Sequence, residues 1–116
     1  MTTVTIYHNP RCSKSRQTLK LLDDNNQRPV IVEYLKSPLD KKQLQHLTRL
    51  LNCSVREIIR ISEIDYKENN LADKSLSEDV LLEAIVKWPK LMQRPIVVNG
   101  NRAAIGRPPE NVLGIL

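Results

Sequence analysis

The 116-residue chain is 41% hydrophobic and 27% charged, with a net charge of +5 at pH 7. That is the balance of an ordinary soluble globular protein, long enough to bury a real hydrophobic core. No stretch approaches the ~18 apolar residues of a membrane span. The scarcity of aromatics, with three Tyr, one Trp and no Phe, argues against a stacking platform for single-stranded nucleic acid. A net positive charge can suit nucleic acid or a small anionic substrate, but the basic residues are spread along the chain, and a general basic surface accounts for the charge equally well.

Residues 3–8 alternate around Val4 and Ile6 and predict a central strand. Asn9-Pro10 makes a turn, and Cys12 or Ser13 opens a helix running to about Asn25, with Thr18, Leu19, Leu21 and Leu22 as a partial apolar stripe. Asp23-Asp24-Asn25-Asn26 is a stop signal. Pro29 to Tyr34 then reads as a second strand, completing a βαβ unit whose strands should run parallel.

The middle of the chain changes character. Ser37-Pro38-Leu39-Asp40 is a helix entry, and Leu44, Leu47, Leu50 and Leu51 recur at helical spacing. A short helix is expected from Ser54, with Val55, Ile58, Ile59 and Ile61 pointing inward, followed by an irregular loop over 65–74. Ser77-Glu78-Asp79 starts another helix, which Pro89 closes. No Gly/Ser/Pro linker brackets this region, so it is expected to be a helical insertion at about 38–90 within one domain spanning 1–116. At the end of the chain, Pro95–Val98 is a strand, Asn99-Gly100 a type I′ hairpin turn and Arg102–Ile105 the partner strand. A last short helix carries Val112, Leu113 and Ile115. The order βαβ, helices, β-hairpin, helix predicts an α/β chain of thioredoxin-like fold.

The chemistry concentrates at Cys12. A helix N-terminus exposes unpaired N–H groups and partial positive charge, which favour a thiolate there. Arg11, Lys14 and Arg16 add positive charge around the same sulfur. The segment reads Cys12-Ser13-Lys14-Ser15, so Ser15 stands where a Cys-x-x-Cys motif would have its second thiol. A single-thiol site must pass its adduct to an outside thiol, glutathione being the obvious candidate. Two cysteines, Cys12 and Cys53, make no disulfide framework. Together with a strand that begins almost at the N-terminus, leaving no room for a signal peptide, they set the expected location as the reducing cytoplasm. Arg94-Pro95 and Arg107-Pro108 flank the hairpin, X-Pro at a strand start being a place where cis peptides are used. Two guanidinium groups there suit a tetrahedral oxyanion.

Ile6-Tyr7-His8-Asn9-Pro10, Cys12, Ser15-Arg16 and Thr18-Leu19, together with Ser54-Val55-Arg56, Arg60, Arg94-Pro95-Ile96-Val97-Val98 and Arg107-Pro108, resemble the glutaredoxin-coupled arsenate reductase family over essentially the whole chain. The resemblance implies a thioredoxin-like fold with a helical insertion. It also implies that Cys12 attacks arsenate, that glutathione acts as co-substrate and glutaredoxin as reductant, and that no cofactor or metal is bound. Arg60, Arg94 and Arg107 fall on the family's oxyanion-binding arginines, and His8 on a histidine that helps keep the cysteine ionised. Ser15 is expected to donate a hydrogen bond to the thiolate.

Read without the resemblance, Arg60 is a solvated or salt-bridged side chain and His8 a satisfied polar residue at a strand end. Cys53 is expected to be buried and inert, and His46 to lie on the surface. Two other functions compete with arsenate reduction. One is a general glutathione-dependent thiol oxidoreductase. The other is a non-enzymatic transcription regulator, because a related branch of the fold binds RNA polymerase and uses a Cys-x-x-Cys switch. Ser15 removes that switch here. No nucleic-acid or membrane partner is expected.

Overall fold

Val4 and Ile6 point to one side of a short β-branched strand and are buried, while Thr5 and Tyr7 stay partly accessible. This strand, β1 (Val4–Tyr7), is central to a four-stranded sheet in the computed structural model, which describes residues 3–116. The other elements of the sheet unit are α1 (Ser13–Asp24), β2 (Val30–Val32), β3 (Ile96–Asn99) and β4 (Arg102–Ile105). The strand order is β2-β1-β3-β4. β1 runs parallel to β2, with Ile6 opposite Ile31, and antiparallel to β3, with Ile6 opposite Val97. β3 and β4 form the antiparallel hairpin. A 3₁₀ helix, Pro109–Ile115, follows.

The chain divides after Ser37 and before Arg94 into two compact units, the outer stretches forming the sheet unit and Pro38–Gln93 forming the second. The core of the sheet unit is Val4, Ile6, Leu22, Val97, Val112 and Ile115, with Leu19, Leu21 and Ala104 packed against it. α1 presents Ser15, Thr18 and Leu22 to the interior at spacings of three and four residues, so two of the three residues in its buried stripe are polar. The first of these, Ser15, bonds the backbone of the cysteine loop at Asn9.

In the second unit, α2 (Lys41–Leu51) buries Leu44 and Leu47 and starts in a capping box. There the Gln43 N–H donates to Asp40 Oδ1 at 2.8 Å and the Asp40 N–H donates to Gln43 Oε1 at 2.9 Å. A 3₁₀ turn at Val55–Ile58 follows, then α3 (Ile64–Glu68), α4 (Glu78–Lys87, capped by Ser77) and a 3₁₀ turn at Pro89–Leu91. Arg56 donates to the backbone carbonyls of Leu71 and Asp73, pinning the connection between α3 and α4.

Several expectations need correction. β2 is three residues long; Tyr34 lies beyond it in a turn and is buried. As an edge strand, β2 leaves Val30 and Ile31 half exposed. The expected loop over 65–74 contains most of α3, a helix with no buried residue and therefore no apolar periodicity to read. Ile61 is 67% exposed. The 3₁₀ turn ends at Ile58, so helical spacing does not carry on to Ile61. The hairpin loop is Gly100-Asn101, because Asn99 pairs with Arg102 inside the ladder. Only Gly100 of the two has positive φ, the requirement of a type II′ turn and not of type I′. Leu113 is largely exposed, whereas Val112 and Ile115 are buried. Arg94-Pro95, at the strand start, is cis, and so is Arg107-Pro108.

Among the described residues no helix is long and apolar enough to cross a membrane. None of their His, Cys, Asp and Glu side chains gather into a group of three or more able to hold a metal ion.

Candidate active site

Cys12 is the N-cap of α1, with extended backbone (φ −91°, ψ 124°), so the first turn of the helix opens directly beneath its sulfur. The loop leading to it is tightly bonded. The Cys12 N–H donates to the Asn9 carbonyl at 3.0 Å, and the Arg11 N–H to Asn9 Oδ1 at 3.0 Å. Arg16 reaches back from one helical turn on to donate to the Pro10 carbonyl at 2.8 Å. Asn9 thus holds the loop through both its side chain and its carbonyl, a role that the Asn-Pro turn signal hinted at without specifying.

Behind the loop lies a buried polar pair. His8 Nδ1 and Ser15 Oγ share a hydrogen bond of 2.6 Å, and the Asn9 N–H donates to the same Ser15 oxygen at 3.0 Å. Ser15 is fully buried and His8 nearly so. Burial lowers the His8 pKa, the nearby Glu33 carboxylate opposing and the Arg16 charge assisting. Its surroundings therefore disfavour the charged form of the ring. The Ser15 oxygen thus bonds both His8 and Asn9. The group that Ser15 turns to the sulfur is its backbone N–H.

Burial alone pushes the Cys12 thiol up. It is outweighed by the backbone N–H groups of Ser15 and Lys14 and by the Arg94 guanidinium, which donates to the sulfur and adds its charge. The net effect holds the thiol below its ordinary value. Arg107 Nη2 lies 3.6 Å from Sγ, while its Nε donates to the Arg94 backbone carbonyl at 2.9 Å. The Arg94 Nε is buried and has no hydrogen-bond partner. A thiolate faced by two guanidinium groups, one with an unsatisfied N–H, can attack an electrophilic centre and hold the oxygens of an anion beside it.

Arg60 belongs to the Pro38–Gln93 unit. Its backbone N–H donates to the Leu91 carbonyl at 2.7 Å, and its guanidinium pairs with Glu63 at 3.4 Å, both side chains being largely shielded. Cys53, expected to be buried, is half-buried and unbridged. Its thiol is pushed up by burial and by the charges of Glu57 and Glu78. His46 is exposed.

A four-stranded mixed sheet with a lone thiol at the mouth of its first helix defines the class: a thioredoxin-like α/β protein. The ArsC family model matches residues 7–115, and the chain belongs to that family. It is 56% identical over 114 residues to the uncharacterized protein YfgD of Escherichia coli K12, covering 97% of this chain and 96% of that protein. It is 46% identical over 114 residues to a Haemophilus influenzae protein named arsenate reductase, with 97% and 98% covered. Among solved structures, an arsenate reductase from Vibrio cholerae matches with a TM-score of 0.97 at 46% identity, over 99% of this chain and 98% of that one.

Proposed function

We propose that the chain is an arsenate reductase of the cytoplasm that depends on glutathione and glutaredoxin. The observation that carries this reading is the Cys12 sulfur at the mouth of α1 with the Arg107 guanidinium 3.6 Å from it, a setting in which Arg94 also favours the thiolate. The Cys12 thiolate attacks As(V) and displaces one oxygen as water, forming an S–As bond without redox change. Glutathione displaces a second oxygen and forms a second S–As bond. The glutaredoxin thiolate then attacks the glutathione sulfur, and the electron pair of that S–As bond passes to arsenic, giving As(III) and a glutaredoxin–glutathione disulfide. Hydrolysis of the remaining S–As bond releases arsenite and restores Cys12.

Arg94 and Arg107 neutralise the anion and stabilise charge as oxygens leave. Arg60 enters as a third oxyanion-binding arginine through the family resemblance alone. His8 and Ser15 act from behind, fixing the loop so that the Ser15 and Lys14 N–H groups stay on the sulfur. No step needs a bound metal or organic cofactor.

The test is turnover. Purified protein with glutathione, glutaredoxin, glutathione reductase and NADPH should oxidise NADPH when arsenate is added, and Cys12→Ser should abolish it. No turnover above background would refute arsenate as substrate. Turnover of a mixed disulfide in its place would favour the thiol oxidoreductase reading.

A further inference from the structure

We infer that Gly106 is a positioning residue, whose missing side chain lets the turn that carries Arg107 seat against the helix that carries Cys12. Its backbone is not the reason for glycine, because Gly100 is the glycine with positive φ among the described residues. Space is the reason. A Cβ on Gly106 would lie 2.6 Å from Thr18 Oγ1, 2.8 Å from Pro95 Cγ and 3.1 Å from Thr18 Cγ2. Thr18 is fully buried and its hydroxyl donates to the Lys14 carbonyl at 2.8 Å, so it cannot swing aside without giving up that bond. On the other side the Gly106 N–H donates to the Pro95 carbonyl at 2.9 Å.

Gly106 therefore sits in a tight contact between two halves of the site. One half is the first turn of α1, which offers the Lys14 and Ser15 N–H groups to the sulfur. The other begins at the next residue, Arg107, whose Nη2 stands 3.6 Å from Sγ. A methyl group at 106 has to push these halves apart, and the Arg107–sulfur contact is the first thing lengthened. The inference rests on the reading of Arg107 as a partner of the thiolate.

The experiment measures iodoacetamide alkylation of Cys12 against pH in a Cys53→Ser background, with circular dichroism to confirm folding. Gly106→Ala should slow alkylation below neutral pH by roughly three- to tenfold, through a smaller thiolate fraction. Gly114→Ala is the matched control, since a Cβ there meets nothing within 4 Å, and it should leave the profile unchanged. Arg107→Ala should reproduce the slowing, and adding Gly106→Ala to it should change nothing further. A folded Gly106→Ala protein with the parental profile overturns the inference while leaving the reading of Arg107 intact. An unchanged profile in Arg107→Ala overturns both. If Gly106→Ala does not fold, the same profile is read on Thr18→Val, whose methyl in place of Oγ1 presses on Gly106 from the helix side. It should slow alkylation in the same direction, and no change there overturns the inference.

Discussion

Arg94→Ala isolates the interaction on which the low thiol pKa most depends among side chains. The guanidinium donates to a sulfur that is only 9% exposed and adds its charge there. A hydrogen bond to a charged group contributes about 1.5–3 kcal/mol. With about 1.4 kcal/mol per factor of ten, its loss lowers the thiolate-to-thiol ratio below the pKa by roughly ten- to a hundredfold. The anchor of Arg107 survives, because Arg107 Nε bonds the backbone carbonyl of residue 94 and not its side chain. The Arg94 Nε has no partner, so its removal strands no acceptor at that atom. Alkylation of Cys12 followed against pH, on the arm where the rate still rises with pH, reads the effect directly. A rate within twofold of wild type in a folded Arg94→Ala protein would refute the electrostatic account of the site.

Other outcomes follow from the same geometry. Ser15→Ala leaves His8 Nδ1 and the Asn9 N–H without their buried partner and should cost about 1–3 kcal/mol in urea denaturation, with slower Cys12 alkylation as the loop loosens. Because burial lowers the His8 pKa, its contribution to stability is fully present above the ordinary imidazole value of 6.5 and is lost as pH falls through the lowered one. Thermal melts of wild type should therefore drop below pH 6.5 more steeply than those of His8→Gln. Arg60→Ala should raise the KM for arsenate while leaving Cys12 alkylation unchanged, since its guanidinium pairs with Glu63 and is not among the groups on the sulfur.

The β1–α1–β2 unit was legible because Val4, Ile6 and Leu22 follow the periods of strand and helix, and because Asn9-Pro10 marks the turn between them. The hairpin was legible too, but its turn was displaced by one residue: Asn99-Gly100 carries the commonest signal, while the ladder reaches Asn99 and leaves Gly100-Asn101 to turn. α3 was not legible, because a five-residue helix with no buried face leaves no periodic trace. At the site, Cys12 could be read from its place before a helix, and Arg94 and Arg107 from their prolines. The contact of Ser15 with His8 could not, because it joins residues seven apart across a turn and depends on where the loop folds back. The lowered pKa of His8 likewise follows from burial, a property of the assembled sheet and helix.

The central claim is that the Cys12 sulfur and the two flanking guanidinium groups form one oxyanion-processing site. A crystal of the wild-type protein soaked in arsenate tests it most directly. The account predicts continuous density from Cys12 Sγ to arsenic, with arsenate oxygens within hydrogen-bond distance of Arg94 and Arg107. Arsenate seated elsewhere, or density at Cys12 with neither arginine turned to it, would contradict the claim.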